Sequence, residues 1–258
     1  MSLQGADDGW THVVRKDHRG PRRARPPQQD ESETAEVPPN QNPTFSLQDI
    51  RKYHEGIRAE WEASQCCKTL KTLVSGHLRG RPAVTTAICL GPGSFDPATG
   101  SWAARRAAHL QIEAFKTLAH ALGDSCGRRV VQEPAFTPTD KSFCAELGLE
   151  VAENSDAFAM IDSGAVVFGI HLYIRTWHEA LRVLPAMFVG TGLDSWQTTA
   201  SFKPDVEALL GPLAQMHESY DQFSFPDMGN IFTGTCVYWR KEPATNSDMP
   251  PAASLAGN

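Results

Sequence analysis

The stretch AICLGPGSF, Ala87 to Phe95, decides the fold. An apolar run from Val84 to Leu90 stops at Gly91, Pro92, Gly93 and Ser94, and an amphipathic helix pattern opens a few residues later at Trp102. Strand, glycine turn and helix in that order form the unit on which α/β proteins seat an anionic or nucleotide ligand. The turn therefore predicts a pocket, without yet naming a reaction.

Before it, Ser46 with Asp49 three residues on predicts a helix start, followed by Leu47, Ile50, Tyr53, Ile57 and Trp61 at helical spacing. That helix runs, with a break, to Leu73 and Val74. After the turn, Ala108, Ile112, Phe115, Leu118, Ala119 and Leu122 make one stripe of a helix ended by Gly123. Strands are predicted at Arg128 to Glu133, Leu149 to Ala152, Gly164 to Ile170 and Ala186 to Val189, with helices between them capped at Thr139 and carrying Ile174, Trp177, Leu181 and Leu184. A helix around Val206 to Met216 and a strand from Thr235 to Trp239, placed at an edge, complete the pattern.

Alternating strands and helices imply a Rossmann-like, doubly wound α/β fold. Its mainly parallel sheet has the order 3-2-1-4-5 plus a carboxyl-terminal edge strand, and helices cover both faces. The α/β domain spans residues 44–240, and the Pro-rich, weakly apolar segments 1–43 and 241–258 read as disordered tails.

The 258 residues carry a net charge of −6, but residues 1–29 hold six Lys or Arg against three Asp, which leaves −9 for the rest. An acidic body argues against extended nucleic-acid binding, and the basic stretch KDHRGPRRARP reads as a solvated arm or an import signal. Six scattered cysteines without ligand spacing read as reduced thiols and predict no metal site. No apolar run approaches bilayer length, so the expected location is cytoplasmic or nuclear rather than membrane-bound.

The order of short motifs resembles the family named for Sensitivity to Red Light Reduced, the SRR-type domain. The resemblance is carried by ICLGPGSF, VVQEPAFTPTD followed by LGLEV, VVFGIHLYIRTWHEAL and MFVGTG. WTHVVRKDHRG and GTCVYWR are similar to the basic arm and last strand of fungal members. The chain departs from the family pattern at Glu133-Pro134 where Asp-Pro is common, at Ile170-His171-Leu172 in place of Pro-His-Cys, and at Gly190-Thr191-Gly192 in place of Gly-Asn-Ser. The resemblance implies regulatory biology: light signalling and circadian timing in plants, stress responses and development in fungi, and links to haem metabolism in animals. It supplies no chemical step, and no Cys-Pro dipeptide supports haem sensing here.

Parallel strands would bring Gly91, Gly93, Ser94, Glu133 and His171 to one rim, at the switch point between the first strand and the one ending at Ile170. Glycine amides there suit a phosphate or carboxylate, Glu133 a ribose hydroxyl, and His171 a hydrogen bond or proton transfer. Each also has a bland role, in the turn itself, in capping Pro134 or in structure. Arg105 and Arg106, with His109 one turn later, read as solvated helix residues in preference to an anion clamp. Asp194 reads as a loop cap.

The third glycine of a dinucleotide fingerprint is missing, and Cys89 stands where S-adenosylmethionine enzymes carry an acid. The cofactor, protein partners and oligomeric state therefore stay unassigned. The expected function is that of a non-catalytic regulatory or scaffold protein, tuned by a small anionic or nucleotide-like ligand. The alternative is a transferase using a nucleoside-containing cofactor such as S-adenosylmethionine in the Gly91-Gly93 crevice.

Overall fold

Alternation within the central strands sorts the core onto two faces of one sheet. In the computed structural model, which describes residues 39–153, 155–200 and 208–241, β1 (Thr86–Leu90) sends Ala87 and Cys89 to one face and Ile88 and Leu90 to the other. All four are buried, as a strand covered on both sides requires. β1 pairs in parallel with β2 (Arg128–Gln132) and with β4 (Ala165–Phe168). β3 (Glu150–Val151) extends the sheet beyond β2, and β5 (Met187–Thr191) lies parallel to β4.

The first layer of helices follows from two capping boxes and a stripe. Ser46 Oγ accepts from the Asp49 amide while Asp49 accepts from the Ser46 amide, and α1 (Leu47–Ala63) buries Ile50, His54, Ile57 and Trp61. The expected break falls at Ser64, an extended residue whose side chain also caps α2 (Gln65–His77). These two pack on α3 (Trp102–Ala121), whose predicted stripe is buried throughout, and α1 packs also on α4 (Pro138–Glu146). The cap of α4 is Thr137, boxed with Asp140, and not Thr139, because Pro138 takes the first helical position, where a missing N–H costs nothing.

On the opposite face lie α5 (Asp156–Ala159), α6 (Ile174–Ala180), α7 (Leu193–Ala200) and α8 (Gly211–Ser219). Asp194 thus belongs to the first turn of a helix, not to a loop. The predicted helix around Val206 is described from residue 208 onward; 201–207 lie outside the described residues.

The parallel order 3-2-1-4-5 holds, and the whole sheet reads β3-β2-β1-β4-β5-β7-β6. One expectation is corrected here. The strand expected at the edge, β7 (Thr235–Arg240), is internal, antiparallel to both β5 and β6 (Tyr220–Ser224), and β6 forms the edge. Its half-exposed side chains are what an edge strand tolerates. The expected tails, 1–43 and 241–258, lie outside the described residues except for 39–43 and Lys241. Within that margin Asn40 Nδ2 donates to the Asp96 carbonyl at 3.2 Å.

Candidate functional site

The glycine turn leaves the carboxyl end of β1 and is tied at once to β2, where the Gly91 amide donates to the Gln132 carbonyl at 2.8 Å. Gly91 has φ +60 and Gly93 φ +88, left-handed conformations that favour glycine. The next amide in line for an anion, that of Gly93, donates instead to Glu133 Oε2 at 2.8 Å. Glu133 Oε1 accepts from the Ala135 amide at 2.9 Å, so one carboxylate staples the β1 turn to the β2 turn. Burial raises this carboxyl above its usual range and Asp140 adds to the rise, while the Ala135 and Gly93 amides oppose it.

Ser94 is similarly committed. Its hydroxyl donates to Asp140 Oδ2 at 2.7 Å and accepts from the Asp96 amide at 3.0 Å. Asp140 is fully buried, and burial raises it, against hydrogen bonds from Ser94, Thr137 and the Phe95 amide. Asp96 in turn accepts from Thr44 Oγ1 at 3.0 Å and from the Phe45 amide at 3.1 Å, which fastens the segment before α1 to the turn. Asp96 and Asp140 escaped the sequence reading; the visible signals were Asp96 two residues past Ser94 and the Thr137/Asp140 capping box.

Side chains also cover the switch point between β1 and β4. A Cβ on Gly91 would meet Leu172 Cδ2 at 2.2 Å. A Cβ on Gly169 would meet Leu172 Cδ1 at 2.7 Å and Trp177 at 2.8 Å, and one on Gly190 would meet Trp177 at 2.6 Å. These glycines make room for Leu172 and Trp177.

His171 stands on the same rim, following β4, in a left-handed conformation with φ +55. Its Nε2 is 3.0 Å from the Ile231 carbonyl in the β6–β7 loop. A carbonyl can only accept, so Nε2 carries the proton. Burial lowers the imidazole's proton affinity, with the Ile231 carbonyl and Asp227 acting the other way. The structure therefore ties Gly91 to Gln132, Gly93 to Glu133 and Ser94 to Asp140, while His171 is engaged by the β6–β7 loop.

The helix residues after the turn are not simply solvated. Arg106 pairs with Glu60 on α1. The Arg105 guanidinium lies 3.8 Å from the ring centre of Phe45 and 4.1 Å from that of Tyr53. His109 is completely buried and meets His54 Nδ1 to Nδ1 at 3.0 Å. His54 Nε2 reaches Glu113 Oε1 at 2.9 Å, and Lys116 Nζ donates to the same oxygen at 2.7 Å. Burial, then the neighbouring His54 and Arg105, pushes His109 down to about 2. With His109 neutral, one nitrogen of the Nδ1–Nδ1 contact donates and the other accepts. The buried His109 Nε2 has no partner.

Comparison with known proteins adds the family. No curated protein sequence matches the chain. A chain of the complex between the Haloferax volcanii Trm112 methyltransferase activator and its candidate methyltransferase is 11% identical, with 78% of this chain and 99% of that chain covered and a TM-score of 0.37. A candidate S-adenosyl-L-methionine-dependent methyltransferase from Methanococcus maripaludis is 12% identical over 80% and 97% of the two chains, at 0.34. Thermoplasma acidophilum protein 1320 is 13% identical over 69% and 84%, at 0.30. Similarities of this size bear on neither ligand nor chemistry. The family model for the SRR1 domain, by contrast, matches residues 66–239, from within α2 to Trp239 of the internal strand β7, and the chain belongs to that family.

Proposed function

We propose that this is a non-catalytic regulatory or scaffold protein of the SRR type, acting in light-, circadian- or stress-linked regulation in the cytoplasm or nucleus. One observation carries the reading: the groups an enzyme would present at this rim are bonded within the protein. The Gly93 amide serves Glu133, the Ser94 hydroxyl serves Asp140 and the Asp96 amide, and His171 Nε2 serves the Ile231 carbonyl. A catalytic group must instead reach the reacting atoms. A small anionic or nucleotide-like ligand that tunes the protein through Gly91, Gly93, Ser94, Glu133 and His171 must displace Glu133 from the Gly93 amide.

The test is a thermal-shift series on the full chain with S-adenosylmethionine, nicotinamide dinucleotides, nucleotides and haem, each also assayed for consumption. Stabilisation without consumption is expected of a ligand-tuned regulator, and none at all of a pure scaffold. Consumption of a nucleoside-containing cofactor that stops in Glu133→Ala would overturn the reading in favour of a transferase.

A further inference from the structure

We infer that a second site, remote from the glycine turn in its chemistry, binds a phosphate monoester in the groove between α1 and α3. The groove has a volume of about 520 Å³ and is lined by Phe45, Asp49, Lys52, Tyr53, Arg105 and Arg106, among others. Small-molecule sites fall in the range of roughly 300–1,000 Å³.

Its centre is Arg105. The guanidinium lies over the rings of both Phe45 and Tyr53, and among the described residues neither Arg105 nor Lys52 forms an ion pair. A cation held partly out of water without an ion-pair contact is costly, and burial accordingly lowers its proton affinity, against the fields of Tyr53, Asp96 and Asp49. Contact with two rings restrains the fork before any ligand arrives, so less side-chain freedom is lost on binding.

The charges of the neighbours select the ligand. Arg106 is answered by Glu60. Asp49 faces the groove, but its Oδ2 accepts from both the amide and the hydroxyl of Ser46, and it stands in the first turn of α1, where the helix favours a negative charge. That leaves Arg105 and Lys52. A phosphate monoester carries about −1.5 to −2 at pH 7 and presents three acceptor oxygens, enough for a guanidinium fork and an ammonium together. A carboxylate carries half that charge.

The experiment titrates the full chain with inorganic phosphate, adenosine monophosphate, a phosphoserine peptide and acetate at constant ionic strength, followed by calorimetry. Saturable binding of phosphate species over acetate is expected, and the tighter of the nucleotide and the peptide identifies the source. Arg105→Leu, which keeps an apolar filling between the rings, should weaken binding about tenfold or more, as loss of a charge-assisted fork does. Lys52→Gln, an exposed change that leaves the core untouched, should weaken it several-fold, and the exposed Lys71→Gln on α2 should not. Glu133→Ala should also leave it unchanged, which separates this site from the glycine turn. No saturable phosphate binding, acetate binding equally well, or affinity indifferent to both Arg105→Leu and Lys52→Gln would overturn the inference.

Discussion

Acidification should loosen this protein, and His109 should be its largest single cause. In the folded chain the imidazole is completely buried, and it resists protonation down to about 2, whereas in the unfolded chain it titrates near its ordinary 6.5. Between those values the unfolded state holds a proton that the folded state rejects, so stability is full above 6.5 and falls as pH falls. One proton is worth about 1.4 kcal/mol per pH unit, which gives a loss of roughly 2 kcal/mol by pH 5. The assay is urea unfolding of wild type and His109→Phe at pH 7, 6 and 5. Phenylalanine suits a slot already lined by Tyr53, Phe95 and Phe143. It leaves the His54 nitrogen without its partner, so the variant should start lower at pH 7 by about 1–3 kcal/mol. The two proteins should then converge as pH falls, because Glu133, Asp140 and His171 titrate in both and cancel in the difference. Parallel pH profiles would refute the reasoning, and so would a wild type that gains stability relative to His109→Phe on acidification.

Three further outcomes are expected. Glu133→Ala should cost about 1–3 kcal/mol in urea unfolding, since it removes the acceptor of two amides, and Glu133→Gln, which keeps one acceptor oxygen, should cost less. Gly91→Ala should destabilise by more than about 1 kcal/mol, from its positive φ and from the 2.2 Å approach to Leu172; adding Leu172→Ala should relieve the second part, so that the double variant falls short of the sum of the singles. Trp177→Ala should cost about 3–5 kcal/mol by calorimetric melting, because the ring fills the space against Gly169 and Gly190 and packs edge-on to Phe188 at 4.5 Å.

The parallel half of the fold is legible because β1, β4 and β5 are short apolar runs bounded by turn residues. Val84 to Leu90 and Gly164 to Ile170 need no partner to be recognised. Tyr220 to Ser224 was not legible for the opposite reason: Asp221, Gln222 and Ser224 are tolerable only where one edge faces water, and that edge exists only after β7 has inserted beside β5. The helical stripe of α3 is legible in the sequence, but its flank is not. His109 and Glu113 become core residues only because α1 lies against them, and the cue was on α1. His54, not Tyr53, occupies the fully buried position between Ile50 and Ile57.

The site shows the same division between a visible frame and invisible contents. Glycine spacing announces a turn that brings backbone amides to a strand end, yet what the Gly93 amide bonds is fixed by a residue 40 positions away. Leu172 makes the point from the sequence side. It stands where the family pattern has cysteine, and it is the side chain that covers Gly91 and Gly169. A thiol there would be smaller than an isobutyl group, so the space above the glycine turn depends on this departure as much as on the glycines themselves. Leu172→Cys therefore bears directly on the proposed function. If the crevice is closed by shape, the variant should open it and admit a ligand that wild type refuses; if it is closed by the Glu133 staple, only Glu133→Ala should do so.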